Sequence, residues 1–338
     1  MPSLPGQLLL RTVLAAPLLL APAAASAQED LTACRQGLQA SERGEAEQAV
    51  ALFSRCLEQG QLQLEATVKT LINRGFAYFD LRQPERAIED FSTVVKLTPE
   101  DPLAYNLRGV AQFHRGNYDA AIADFDAVLA RDPSFLPAYN NRGNAYLLKR
   151  EMEKAIADFD VAIAQNPRYA NAYNNRGNAY RALGDYDRAF ADYIQALEID
   201  PDFAEAWRNL GIAKFFAEDF TDAVAALDQV LKGPDAERAI DPALWRALAQ
   251  LRLGEDPKLG LEQALAGRDL AAWPGPLAAY LLGEIDEAAL LQASADGDAA
   301  RQGEKRIGVH FVLGEEALAQ DDRAAARRHF EAALATGA

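Results

Sequence analysis

One period dominates this chain. Tyr105, Tyr139 and Tyr173 recur every 34 residues, and Leu71 and Trp207 extend the series on either side. Gly75, Gly109, Gly143, Gly177 and Gly211 keep the same phase, as do Ala87, Ala121, Ala155, Ala189 and Ala223. Four residues after each alanine stands Phe91, Phe125, Phe159, Tyr193 or Leu227, and Pro99, Pro133, Pro167 and Pro201 close the units. A fixed period of this length marks a stack of identical supersecondary units, none of which buries its apolar face alone. The small residues let two helices of a hairpin approach closely, the large one fills the groove between them, and proline stops the second helix.

Five units therefore start at Val68, Pro102, Leu136, Ala170 and Ala204. A degenerate unit precedes them at residues 30–63, with Gly37, Ala49 and Phe53 in phase, so that six units span 30–237 (30–63, 68–101, 102–135, 136–169, 170–203 and 204–237). This wording of aromatic, glycine, alanine, aromatic and proline resembles the tetratricopeptide repeat. The resemblance implies an all-α, helix-turn-helix solenoid, a right-handed superhelix whose A helices line a concave binding surface. After Pro234 the period breaks, and residues 238–306 read as an irregular helical segment. A terminal repeat-like unit follows at 307–338, with Gly314, Ala326 and Phe330 in phase.

Residues 1–27 have the layout of a secretory signal: Arg11, an apolar stretch from Thr12 to Ala25, and a small-x-small site that predicts cleavage after Ala27. Export makes the chain periplasmic or secreted. The two cysteines, Cys34 and Cys56, then pair as a disulfide, because the degenerate hairpin brings their positions together and an oxidising compartment keeps the bond. A rival reading of Cys34 is lipidation, since Leu31-Thr32-Ala33-Cys34 spells a lipobox. Gln28, Glu29 and Asp30 separate that box from the apolar run, and membrane attachment enters only by this route.

Position seven of the A helix is Arg74, Arg108, Arg142 or Arg176 in four units, and position twenty-three is Asp90, Asp124, Asp158 or Asp192 in the same four. Both change together in the next unit, to Leu210 and Ala226. This pairing predicts four structural ion pairs bridging helix A to helix B.

The chemistry expected of an enzyme is missing from the motifs: the three histidines lack metal-ligand spacing, and there is no phosphate loop or nucleophile elbow. The reading is of a non-enzyme with no metal and no cofactor. A formal net charge of -16 argues against nucleic acid. Binding of other proteins or extended peptides is the expectation, with amides on the concave face as the site: Asn73, Asn106, Asn140, Asn141, Asn144, Asn174, Asn175, Asn178 and Asn209, joined by Arg208 and by Phe79 and Phe113. The series is similar to the asparagine ladder of O-GlcNAc transferases, broken at Leu107. The alternative for these amides is bonding between neighbouring helices.

The C-terminal third, with Trp273-Pro274-Gly275-Pro276, Ala279-Tyr280-Leu281-Leu282-Gly283 and a lone last repeat opening His310-Phe311-Val312-Leu313-Gly314, resembles that of NlpI-type envelope lipoproteins. That resemblance implies a periplasmic adaptor gathering peptidoglycan hydrolases and proteases, with a homodimer by helix exchange as a further option. A chaperone for exported proteins and a subunit of an envelope enzyme complex are the other readings.

Overall fold

The computed structural model describes residues 31–59, 62–233, 240–295, 297 and 299–336. The signal-like stretch lies outside them. Among the described residues every regular element is a helix, eighteen in all, and none is long and apolar enough to cross a membrane. The chain divides into two compact units, one ending at Pro99 and one from Glu100 onward.

The first unit holds two hairpins, α1 (Thr32–Glu42) with α2 (Ala46–Glu58) and α3 (Leu64–Asp80) with α4 (Pro84–Leu97). Helix α3 begins four residues before the unit start expected at Val68. Phe53 and Phe91 are wholly buried at the two hairpin centres. A disulfide joins Cys34 on α1 to Cys56 on α2 across a Cα separation of 5.3 Å, and both residues pack with Leu31, Ala33 and Ala66.

The second unit continues the pattern through α5 (Pro102–Arg115), α6 (Tyr118–Arg131), α7 (Leu136–Leu148), α8 (Met152–Gln165), α9 (Ala170–Ala182), α10 (Tyr186–Ile199), α11 (Ala204–Phe216) and α12 (Phe220–Lys232). Each B helix packs on its own A helix and on the next one. Pro102 at the first turn of α5 brings no N–H of its own, and the Asp101 side chain accepts from the Leu103 amide, so both lower the number of unpaired donors where that helix starts.

Every A–B connection uses the same device. The fifteenth residue of the unit takes a left-handed conformation, as Gly116 (φ 85°), Gly184 (φ 77°), Arg150 (φ 61°) and Glu218 (φ 60°) do. The following amide then bonds the carbonyl five residues back, as from Glu151 to Tyr146 and from Asp185 to Tyr180, both at 2.9 Å. This closes the orphan carbonyls at the helix end.

That device changes the reading of residues 238–306. Helix α13 (Ile240–Arg252) ends at Gly254 with φ 76°, and Glu255 bonds Gln250 at 2.9 Å before α14 (Lys258–Leu265). Helix α15 (Gly275–Leu282) ends at Gly283 with φ 79°, and Glu284 bonds Ala279 before α16 (Glu287–Ala293). The segment read as irregular thus holds two further hairpins, in which α14, α15 and α16 are short. Sequence periodicity misses them because α13 starts thirty-six residues after α11 and its hairpin lacks the small and aromatic marker residues, presenting Leu259 and Gln263 in their place. Leu261, Leu265, Leu277 and Leu290 supply the core instead.

The last hairpin is α17 (Ala299–Ala319) with α18 (Arg323–Ala335). Helix α17 starts eight residues before the boundary expected at Ile307 and packs on α13, so the intervening hairpins do not separate it from the stack.

Close approach at the glycine is what each hairpin is built on. A Cβ at Gly143 would lie 2.6 Å from the Phe159 ring, and one at Gly314 would lie 2.5 Å from Phe330. Replacing Gly143→Ala is expected to lower stability by about 1–3 kcal/mol through overpacking. Chemical denaturation of the single variant checks this, and an unchanged midpoint would show that Phe159 moves aside freely.

Candidate functional site

The A helices α5, α7, α9 and α11 carry the amide series of the second unit on one connected track. Asn141 donates to Asn106 at 3.5 Å, Asn175 to Asn140 at 2.9 Å, and Asn209 to Asn174 at 2.9 Å. Asn174 donates in turn to Asn175 at 3.3 Å. Each bond runs from position six of one unit to position five of the unit before it, or stays within a unit.

Asn106, Asn140, Asn174 and Asn209 are buried. Asn174 and Asn209 bond each other, while Asn106 accepts from Asn141 and Asn140 from Asn175, so the buried amides tie adjacent A helices together and do not face a ligand. Three of the four, Asn106, Asn140 and Asn174, stand at position five, which points at the neighbouring A helix, where an unpaired amide would be costly.

The amides open to the A-helix face are Asn141, Asn144, Asn175 and Asn178, all half-buried. The Asn178 Oδ1 already accepts from the Tyr193 hydroxyl at 2.8 Å, which leaves its amide donors turned outward. Arg208 is directed to Asp241 at 2.5 Å and leans on Asn209. Phe113 is half-buried and makes edge contacts with His114 and Tyr118. In the first unit Asn73 donates to its own helix at the Lys69 carbonyl, and Phe79 packs 6.1 Å from Phe91.

Beyond α11 the track turns aromatic. Trp245 on α13 takes the register of the position-six asparagines, and Phe311 on α17 that of position five. Their rings lie 5.5 Å apart, with Phe216 at 5.6 Å from Trp245. Sequence reasoning passed over Trp245 because its helix is out of phase. Glu205, at position two of α11, is also new: burial pushes its carboxyl up from its ordinary value, against the pull of Arg208 and Asn174.

The four arginines and four aspartates lie together in pairs. Arg74 binds Asp90, Arg108 binds Asp124, Arg142 binds Asp158 and Arg176 binds Asp192, each through two parallel hydrogen bonds of 2.6–2.9 Å. Arg142 also reaches Asp126 and Arg176 reaches Asp160 on the preceding B helix, both at 2.5 Å. Arg74 instead spends its third contact on the Ser54 hydroxyl. The aspartates are buried. Hydrogen bonding to Asp158 holds the Arg142 guanidinium above its ordinary value, while burial pushes the Asp158 carboxyl up despite that arginine. The same holds for Arg176 and Asp192. Desolvation thus takes back much of the pairing energy, and the value of the pair lies in neither charge being left alone.

Two histidines that are remote in sequence meet in the last hairpin. His310 Nδ1 and His329 Nδ1 are 3.3 Å apart, with ring centroids at 5.6 Å, within hydrogen-bond distance when one nitrogen carries a proton and the other does not. Among the described residues no group of three or more His, Cys, Asp or Glu side chains gathers around a common point.

Models of the tetratricopeptide repeat match residues 73–134, 116–171 and 159–191, and a model described as TPR repeat matches 177–215. Residues 73–215 carry tetratricopeptide repeats. No curated protein sequence matches the chain. Among solved structures it is similar to TTC0263, a thermophilic repeat protein of Thermus thermophilus, at 25% identity over 54% of this chain and 99% of that one, with a TM-score of 0.49. The Cut9–Hcn1 hetero-tetramer of the APC/C matches at 19% identity over 65% of this chain and 42% of that one, with a TM-score of 0.53, a likeness of fold. The first repeat domain of Spaghetti (RPAP3), solved with an HSP90 peptide, matches at 31% identity over 34% of this chain and 92% of that one, with a TM-score of 0.33.

Two outcomes follow for the repeats. Arg142→Leu alone leaves Asp158 buried without its partner and is expected to cost about 3–5 kcal/mol, whereas Arg142→Leu with Asp158→Ala, the combination already present as Leu210 and Ala226, recovers most of that loss. A double-mutant cycle by denaturant titration measures both. For the histidines, burial first and His329 second hold the His310 imidazole below its ordinary value of 6.5. The neutral form is favoured in the fold, so its contribution to stability is present above the unfolded value and lost as pH falls through the folded one. Ring-proton NMR should show His310 titrating below free histidine, with His329→Ala moving its midpoint back up.

Proposed function

We propose that this chain is a non-catalytic scaffold that holds an extended segment of a partner protein on the A-helix face of its second unit. The observation that carries the reading is the row of half-buried amides on the A-helix face, Asn141, Asn144, Asn175 and Asn178, of which Asn141 and Asn175 are held in place by hydrogen bonds to the buried Asn106 and Asn140. An amide offers a donor and an acceptor at once, and a partner backbone needs both at each step, with little demand on its side chains. The aromatic surface of Phe216, Trp245 and Phe311 at the end of the row adds an apolar anchor.

Export is part of the same proposal. The signal-like pattern of residues 1–27 and a disulfide between Cys34 and Cys56 both support an oxidising compartment. In that setting the resemblance of the C-terminal third to NlpI-type proteins favours an adaptor that gathers envelope enzymes. Soluble rather than lipid-anchored placement follows from the three polar residues before the Cys34 box.

Crosslinking capture from the periplasm tests the groove. Changing Asn141, Asn144, Asn175 and Asn178 together to alanine is expected to abolish partner recovery while the helical circular dichroism stays unchanged; undiminished capture would sink the assignment. Mass measurement of the mature protein tests export, with a chain beginning at Gln28 and an oxidised cysteine pair expected.

A further inference from the structure

Three successive A helices of the second unit leave a large apolar residue open at their C-terminal ends: Leu183 after α9, Phe216 on α11 and Leu253 after α13, at 48%, 42% and 40% exposure. These helices pack directly on one another, α9 on α11 and α11 on α13. An exposed leucine alone means little, but Leu183 and Leu253 at position fourteen and Phe216 at position thirteen place three open apolar residues at the same end of successive A helices. Phe216 is held rigid from behind by the Trp245 and Phe311 rings at 5.6 and 6.1 Å.

Each of these ends runs into an acidic turn. Asp185 and Asp187 follow Leu183, Glu218 and Asp219 follow Phe216, and Glu255 and Asp256 follow Leu253. Arg188 pairs with Asp185, and Lys214 with Asp219. Asp187 and Glu218 are exposed and form no ion pair among the described residues. Leu183, Gly184, Asp185, Tyr186 and Asp187 line a shallow surface depression, so at this turn the apolar and acidic side chains lie together. The preceding A helix has an open Leu148 too, but Lys149 and Arg150 follow it, so the acidic edge begins at α9.

The geometry points to a docking edge for a cationic amphipathic helix of a partner protein. Adjacent packed helices lie roughly 8–10 Å apart. A partner α-helix rises about 1.5 Å per residue, so apolar side chains seven residues apart recur on one face at about that spacing. An extended strand repeats a face every two residues, at roughly 6.6 Å, and falls out of step. Lysine or arginine beside each apolar residue would then meet the turn carboxylates. This edge meets the aromatic end of the amide row at Phe216, while Leu183, Leu253 and the turn carboxylates belong to the edge alone.

Fluorescence anisotropy of the full chain with three labelled eighteen-residue peptides tests the edge. One presents a leucine face flanked by lysines, the second has glutamates in place of the lysines, and the third has the lysines with serines in place of the leucines. The leucine–lysine peptide is expected to bind, with the other two weaker by about tenfold or more. Leu183→Ser with Leu253→Ser should weaken its binding by about tenfold, and Asp187→Asn with Glu218→Gln by about threefold at low salt. Asn144→Ala with Asn178→Ala should leave it unchanged. Equal binding of the lysine–serine peptide, or indifference to both edge variants with helicity retained, would overturn the proposal.

Discussion

Everything in this structure depends on how closely two helices of a hairpin approach. At Gly37, Gly75, Gly109, Gly143, Gly177 and Gly314 the aromatic ring of the partner B helix occupies the space where a Cβ would sit, and at Gly211 the Leu227 side chain does so. The B-helix alanines Ala87, Ala121, Ala155, Ala189 and Ala223 are wholly buried in the same packing layer. With the hairpin interior filled by backbone and one ring, little room is left for variation, and each unit repeats the geometry of the last.

That tight interior pushes polar work to the flanks. On one side, arginines and aspartates cross from A to B helix in bidentate pairs, and two of them continue onto the preceding B helix through Asp126 and Asp160. Arg246 on α13 makes the same backward contact with Asp228, although its own hairpin lacks the rest of the signature. On the other side, the buried asparagines join one A helix to the next. Both systems run along the stacking direction, so each unit gives its neighbour polar partners as well as apolar area, and burial without a partner is avoided at either flank.

The unit boundaries at residues 102, 136, 170 and 204 and the position of each ring were legible because a rule repeated at constant phase is hard to mistake. The arginine and aspartate positions were legible for a related reason: they change together at Leu210 and Ala226. Residues 238–306 were not, because the phase slips by two residues before α13, Leu259 and Gln263 stand at the marker positions of its hairpin, and α14, α15 and α16 are short. Only the left-handed turn residues Gly254 and Gly283 still mark hairpins there, and a lone glycine is too common to read as one.

The sequence by itself determined an all-helical chain of stacked hairpins, since periodic small and aromatic residues permit one way of packing two helices. What tertiary structure decided is which amides are available. Asn140 and Asn141 are neighbours of identical type, yet Asn140 is buried under Asn175 of the next A helix while Asn141 stays half-buried and reaches back to Asn106. The difference is a helical turn of about 100° per residue set against the direction of the next A helix. The same is true of His310 and His329, which are nineteen residues apart in sequence and 3.3 Å apart in space. Composition and spacing name the groups, but only the packing of neighbouring helices settles what each group faces.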